Sequence, residues 1–287
     1  MGNKYKLLNQ LLPLFPKKCR IFLDVFGGSG VVSMNYNGAK RIGYNEINPN
    51  VIGIVNMIKN ANLEELNTYY QNQIRKYNLR TKSNKKDAQL NAEGFYELRN
   101  EYNNSKERDF RDLFLLLCYS INHLLRFNKD NDFNASNGND SYNEKNYEQL
   151  RDFQNSFKNI TVINNDVFDI DFSKFNEQDF LYFDPPYTNT TAVYNEKRAF
   201  GGWNIDCDKK LFKILEELDN RNVKWGLSNV FINRDIENIH LIKWCENNNW
   251  NVYHLNRNYN PFSRGNSNND EVYVCNYTQT IKAGENN

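Results

Sequence analysis

Cysteine is sparse and scattered in this sequence of 287 residues. Its five cysteines, Cys19, Cys118, Cys207, Cys245 and Cys275, include no C-x-x-C pair, and the three histidines do not cluster with them. Neither a zinc site nor any other metal centre is expected, and the thiols read as reduced. A long hydrophobic run is also missing. The longest, Leu113 to Cys118, falls far short of the roughly 20 residues that cross a bilayer. The first residues show no apolar signal-peptide core. A soluble, cytoplasmic protein with no membrane partner is the expectation. Net charge is nearly absent as well, at a formal +1. A nucleic-acid partner would have to be met by a local basic patch and not by the chain as a whole.

What is present suits a packed α/β protein. Hydrophobic residues make up 39% and aromatics 14%, enough for a sizeable core. The length fits one α/β domain carrying a large insertion or a second small domain. Short apolar runs at 20–25, 41–46, 160–164, 180–183, 223–227, 250–255 and 272–277 read as strands. Between them, 48–60 reads as a helix with Pro49 at its start, where a missing N–H costs nothing. From about Glu64 to Phe157 long helical patterns take over, at 64–77, 92–103 and 110–127, with a polar loop at 128–144. Strands on both sides of a helical block predict a sheet interrupted by a helical insertion. The expected boundaries are 1–60 with 158–287 for the sheet domain and 61–157 for the insertion.

Four strand ends carry carboxylates or glycines. Asp24-Val25-Phe26-Gly27-Gly28-Ser29-Gly30 follows the first strand and opens a helix. Its glycines let the backbone turn sharply beside a ligand, although any tight strand–helix turn has similar needs. Glu46 ends the next strand about 20 residues after the turn begins, where a carboxylate can accept from ribose hydroxyls. Asp166 follows the strand at 160–164. Asp184-Pro185-Pro186-Tyr187 follows the apolar strand Phe180–Phe183. Its two prolines remove two N–H groups and stiffen the chain. The Asp184 carboxylate and the Pro185 carbonyl then present acceptors beside the aromatic face of Tyr187. That combination suits a planar substrate bearing an amino group.

In order and spacing these motifs resemble the DNA adenine methyltransferase (Dam) family of bacteria and phages. The resemblance covers nearly the whole chain. Gly2-Asn3-Lys4 is similar to the end of the family's N-terminal cofactor motif. The Asp24–Gly30 turn is similar to its methionine-binding loop, and Asn45-Glu46-Ile47-Asn48 to its ribose-binding turn, with Glu where Asp is usual. Asn165-Asp166-Val167 resembles the cofactor-adenine site. Asp184–Tyr187 is the family's catalytic tetrapeptide unchanged. Leu227-Ser228-Asn229 and Ser263-Arg264-Gly265 resemble later motifs. The resemblance implies a doubly wound methyltransferase-type sheet with an inserted helical target-recognition domain. It implies S-adenosylmethionine as cofactor and methyl transfer to the N6 amino group of adenine in double-stranded DNA by base flipping. It also implies a place in a restriction–modification system, with a cognate endonuclease as partner, or a phage or host modification role.

The insertion carries the expected DNA contacts. Arg75, Lys76, Arg80, Lys82, Lys85 and Lys86 form a run without an acid, which can track phosphates or remain a solvated basic face. Asn122-His123-Leu124-Leu125-Arg126-Phe127-Asn128 resembles the family's base-reading loop. Asn122, Leu124, Arg126 and Asn128 are its candidate contacts, with Arg126 either a bidentate reader of guanine or an ordinary helix-end arginine. Arg264, in a Gly/Ser/Asn loop, suits a backbone contact. Where the family usually has Val-Pro-Phe-Gly, this chain has Ala135-Ser136-Asn137-Gly138. The common GATC target is therefore not carried over. Two other functions remain open at this stage: an RNA amino-methyltransferase, and a catalytically silent DNA-binding protein.

Overall fold

The computed structural model describes residues 4–188, 202–255 and 269–278. Two compact units emerge: Asn48–Lys158, and Gly2–Ile47 together with Asn159–Asn287.

The second unit is built on a sheet of eight strands: β1 (Cys19–Asp24), β2 (Ala39–Asn45), β3 (Ile160–Ile163), β4 (Phe180–Phe183), β5 (Lys224–Asn233), β6 (Ile236–Glu237), β7 (Asn251–Leu255) and β8 (Asp270–Cys275). Their order is β3-β2-β1-β4-β5-β8-β7, with β6 paired to β5. Strands β3, β2, β1, β4 and β5 are mutually parallel, whereas β8 runs antiparallel to both β5 and β7. The expected doubly wound sheet is thus present. From β1 the chain builds outward through β2 and β3; from β4 it builds the other way. At such a reversal the loops leaving adjacent strands part and open a crevice at the strand C-termini. Asp24 of β1 pairs with Tyr182 of β4, so both turns emerge side by side.

Alternation along the strands fills a core on each face. Leu181 and Phe183 join Leu227, Val272 and Val274 on one side. Over them lie α8 (Ile205–Asn220) and α9 (Ile239–Asn248), numbered among the described helices, with Leu211, Leu215, Leu218, Leu241 and Trp244 pointing in. The spacing 211, 215, 218 places three leucines on one helical stripe, each contributing about 1.5–3 kcal/mol on burial. Asn204 caps α8 by accepting from the Asp206 and Cys207 N–H groups. On the opposite face Phe180 and Tyr182 meet Phe22, Tyr273, Phe15 and the leucines of the first turns, including α1 (Leu8–Leu11), together with Val31 and Val32 of α2 (Val31–Asn35). Strand β5 runs six residues beyond its expected end, which puts Ser228 and Asn229 inside the sheet. There the Tyr182 hydroxyl donates to Ser228 Oγ at 2.7 Å.

The unit Asn48–Lys158 is helical: α3 (Pro49–Asn60), α4 (Leu63–Lys76), α5 (Lys85–Asn104), α6 (Phe110–Tyr119) and α7 (Glu144–Phe157). Helix α3 groups here and not with the sheet, because Ile54 and Ile58 share a core with Leu66, Tyr70, Phe95, Leu113, Leu116 and Leu150. Helix α5 starts at Lys85, earlier than expected, capped by Asn84, which accepts from the Asp87 N–H. Helix α6 corrects the expectation of a helix reaching Phe127. It stops at Tyr119, where Ser120 turns extended and Asn122 and His123 adopt left-handed φ of 54° and 49°. Bridges Ser120–Asn137 and Phe127–Phe133 then fold 120–138 into a hairpin-like loop. Phe133 and Ala135, within that loop, are buried and give it an apolar anchor. Among the described residues no helix is long and apolar enough to cross a membrane.

Candidate active site

The turn after β4 holds its side chains by charge. Lys4 enters from the first helical turn and is buried. Its Nζ lies 2.9 Å from Asp184 Oδ1 and 3.1 Å from Glu271 Oε1. It also donates to the Tyr187 hydroxyl. That hydroxyl in turn donates to Asp184 Oδ1 at 3.0 Å and reaches Glu271 Oε1 at 3.5 Å. Burial alone would lower the Lys4 pKa, but the Asp184 and Glu271 charges outweigh it and hold the ammonium above its ordinary range. Pro185 is buried and Pro186 exposed, so the rigid dipeptide anchors the turn on one side only. Lys4, expected as a cofactor residue, is therefore tied directly to the Asp184–Tyr187 turn. Glu271 was not anticipated. Its one signal in sequence is an acid just inside an otherwise apolar strand, and its partner lies at the other end of the chain.

Beside it stands the glycine turn after β1. Gly28 and Gly30 take positive φ of 51° and 72°, which side-chain-bearing residues rarely adopt. Gly27 packs so closely on Tyr44 that a Cβ would sit 2.2 Å from its ring. Glu46 at the end of β2 accepts from the Gly28 N–H at 2.9 Å, so it braces the turn it faces. Ser29 is exposed at the tip. Asn45 joins three strand ends. Its amide donates to Val25 O at 2.9 Å and Asn165 O at 3.0 Å, and its Oδ1 accepts from Asn165 N at 3.0 Å. The sequence marks Asn45 only as part of a motif, because its partners Val25 and Asn165 are distant along the chain.

Asp24 is 1% exposed at the root of the turn. Ser33 donates to its Oδ2 at 2.7 Å, while Oδ1 is buried with no hydrogen-bond partner. Burial pushes its pKa up to about 7, with the neighbouring Asp184 and Glu46 charges adding to the rise. Phe26 meets Trp203 edge-on, and Phe168 stacks on the same indole. Asp166 is engaged in its own turn, accepting from Phe168 N at 3.0 Å, and Val167 is buried in the sheet core. Buried Asp208 on α8 accepts from Thr188 Oγ1 at 2.9 Å and Trp203 Nε1 at 2.7 Å. It thereby fixes Thr188, which follows the Asp184–Tyr187 turn, and Trp203 together.

The expected DNA contacts fall in the helical unit, apart from Arg264. Lys82, Lys85 and Lys86 are exposed, the last two in the first turn of α5. Arg126 is exposed on the hairpin-like loop, not at a helix end, and its carbonyl accepts from Asn134 N at 2.9 Å. Asn122 is exposed and Leu124 half-buried. Asn128 spends its side-chain oxygen on the Asp130 and Asp132 N–H groups, at 2.9 and 2.8 Å. Gly2, Asn3 and Ser263-Arg264-Gly265 lie outside the described residues. Among the described residues no group of three or more His, Cys, Asp or Glu side chains is arranged to hold a metal.

Residues 1–261 match the family model of the D12 class N6 adenine-specific DNA methyltransferases. The chain is 34% identical over 291 aligned residues to the type II methyltransferase M.FokI of Planomicrobium okeanokoites, covering 98% of this chain and 43% of that protein. It is 31% identical to the modification methylase StsI of Streptococcus sanguinis, over 96% of this chain and 42% of the other. A DNA adenine methylase of Haemophilus influenzae is 26% identical over 70% of this chain and 65% of its own length. The chain thus spans about two fifths of the length of the first two relatives. With the match running through the glycine turn and the Asp184–Tyr187 turn, the chain belongs to the D12 class N6 adenine-specific DNA methyltransferases.

Proposed function

We propose that this chain transfers a methyl group from S-adenosylmethionine to N6 of adenine in double-stranded DNA, at a specific site and on a base flipped out of the helix. The observation that carries the reading is the Asp184–Tyr187 turn beside the glycine turn, with Asp184 oriented by Lys4 and Tyr187.

The residues fit the cofactor. The partnerless buried oxygen of Asp24 is an acceptor without a donor, and the methionine end of the cofactor carries an ammonium group. Gly27, Gly28, Ser29 and Gly30 leave backbone accessible beside it. Glu46 would take the ribose hydroxyls, and Phe26, Asp166 and Val167 would border the cofactor's adenine. Bound S-adenosylmethionine would supply an electrophilic methyl group on cationic sulfur, and the proton that the methylated nitrogen releases would pass to Asp184 or to solvent.

The chain's own contribution is orientation and electrostatics. The adenine amino lone pair is delocalised into the ring and is a poor nucleophile. Asp184 and the Pro185 carbonyl accept its two N–H bonds, which turns the lone pair out of conjugation. The Tyr187 hydroxyl is held by Asp184 and Lys4, which fixes the ring as a stacking surface. A base inside a duplex cannot reach this geometry, hence the flip.

The unit Asn48–Lys158 serves as the target-recognition part. Lys82, Lys85 and Lys86 contact phosphates; Asn122, Leu124, Arg126 and Asn128 form the base-reading loop, and Arg264 adds a backbone contact. Two lysines in the first turn of α5 oppose the helix dipole, an arrangement that an incoming phosphate relieves. Similar proteins named as type II and modification methylases suggest a cognate restriction endonuclease as partner.

The test is to incubate the purified chain with tritiated S-adenosylmethionine and DNA free of host methylation, then read modified bases by single-molecule sequencing. N6-methyladenine in a defined context is expected. Methylation of RNA alone, or cofactor binding with no transfer to any DNA, would reject the reading.

A further inference from the structure

Helix α5 grips one edge of the hairpin-like loop. Asn103 Nδ2 donates to Phe133 O at 3.0 Å, and its Oδ1 accepts from Phe133 N at 2.9 Å. One turn earlier on the same helix face, Arg99 Nη1 donates to Ala135 O at 3.0 Å. Asn137 in turn donates from its side chain to Ala88 O at 2.6 Å. These contacts fall on residues 133, 135 and 137, alternate positions along the returning arm of the loop. The other edge of that arm faces the segment that carries Arg126. Asn134 N donates to Arg126 O at 2.9 Å, and Ser136 O accepts from Ile121 N at 2.9 Å.

A helix has no free backbone edge to offer an extended chain, because its N–H and C=O groups bond within it. The Asn103 amide supplies one donor and one acceptor instead, and pairs with Phe133 as a neighbouring strand would. The spacing fits as well: four residues of helix rise about 6 Å, and two residues of extended chain about 6.6 Å. Arg108 adds a brace near the loop's tip, donating to Asp132 Oδ1 at 2.6 Å and to the Asn103 carbonyl at 3.0 Å.

We propose that Arg99 and Asn103 are positioning residues for sequence recognition: by clamping the returning arm to α5 they fix the register in which Arg126 is presented to the bases. This rests on the reading of 122–128 as the base-reading loop. Arg126 is exposed, and its backbone carbonyl is bonded to the arm that α5 holds. A bidentate contact discriminates between bases only while the guanidinium is held in place; a loop free to shift would let it meet other base edges. Both residues belong to the helical unit and not to that of Asp184. Their loss should therefore alter which sites are methylated and not how fast the preferred site is turned over.

The experiment compares Asn103→Ala, Arg99→Met, Arg99→Lys and Arg126→Ala with wild type in the full chain. Each protein methylates a randomised duplex library, and single-molecule sequencing reads the ratio of methylation at the preferred site to that at its single-base neighbours. Asn103→Ala and Arg99→Met should lower that ratio by about fivefold or more, the lower end of what one bidentate base contact discriminates. Tritium transfer at saturating preferred duplex should change by less than about threefold. Arg99→Lys, which keeps a donor for the Ala135 carbonyl, should retain more of the ratio than Arg99→Met. An unchanged ratio in both Asn103→Ala and Arg99→Met overturns the proposal, even where total activity falls, because a merely structural role would slow all sites alike. Equal losses of ratio in Arg99→Lys and Arg99→Met overturn it too. Should Asn103→Ala fail to fold, Arg99→Met decides alone, since a half-buried side chain there gives up a single bond. Arg126→Ala separates this proposal from the reading beneath it. Relaxed preference there, with none in the α5 variants, removes the positioning role alone; preserved preference in every variant removes the loop as reader as well. A wild type that methylates no adenine would overturn the functional reading itself.

Discussion

Replacing Asp24 by Asn should change how the stability of the sheet unit depends on pH. The folded protein raises the Asp24 pKa from 3.8 to about 7, chiefly because the carboxyl is buried. Between those values the folded chain holds a proton that the unfolded chain has released. Stability from this group is therefore fully present below about pH 4 and is lost as pH rises through about 7. A shift of roughly three pKa units, at 1.36 kcal/mol each, corresponds to about 4 kcal/mol across that window. The Asp24→Asn variant cannot titrate, and its amide oxygen can still accept from Ser33. The wild-type stability measured against the variant should therefore fall by about 4 kcal/mol between pH 4 and pH 7.5, then level off. Titrating groups away from the turn are common to both proteins and cancel in the difference, while Asp184 and Glu46, whose charges act on Asp24, add a smaller change of their own. The assay is urea unfolding at a series of pH values without cofactor, followed by tryptophan fluorescence. Trp203, Trp225, Trp244 and Trp250 all lie in the sheet unit, so the signal reports that unit. A difference that stays flat to within about 0.5 kcal/mol from pH 4 to 7.5 would refute the assignment of a buried, proton-holding Asp24.

Four further outcomes concern the proposed chemistry and DNA recognition. Asp184→Ala should reduce methyl transfer by roughly 10²-fold or more while calorimetry still detects cofactor binding, and transfer above about a tenth of wild type would remove Asp184 from its role. Glu46→Ala should weaken cofactor binding by about 1.5–3 kcal/mol per hydrogen bond lost, more than it slows transfer at saturating cofactor. It also takes the acceptor from Gly28 N, so an unchanged dissociation constant would exclude Glu46 from the site. Neutralising Lys82, Lys85 and Lys86 should weaken binding to all DNA alike and flatten the log–log salt slope by about 0.9 per lost contact. Arg126→Ala should instead relax sequence preference by about 1–3 kcal/mol at one position, read by methylating a randomised duplex library. A preserved preference would pass the base-reading role to Asn134–Asn139 of the same loop.

The sheet strands were legible because each is a short apolar run ending in a polar turn, and the glycine turn and Asp184–Tyr187 follow two of them directly. Periodicity could not assign α3 to its unit, since an amphipathic pattern reports a buried stripe and not what buries it. The end of α6 was misread for a related reason. Residues 120–127 keep helical apolar spacing, but the left-handed Asn122 and His123 and the buried Phe133 and Ala135 belong to a loop closed by contacts with residues up to 138. Lys4 was identified from a motif, yet its ion pairs were not, because Glu271 meets it only after the sheet has formed. Long-range charge partners leave no periodic trace in a sequence.

The single amide of Asn45 has a consequence for how a ligand would be received. By bonding to Val25 and Asn165 as well as sitting in β2, it couples the segments leaving three adjacent strands into one rim. Those segments cannot adjust one at a time. A ligand arriving there meets a surface whose ordering cost was met during folding, so little of its binding energy is diverted to freezing loops. Both ends of the amide are in use, as donor and as acceptor, and a carboxylate of the same shape could not donate. Receptivity on this side of the crevice is therefore a property of the folded sheet itself, in place before anything binds.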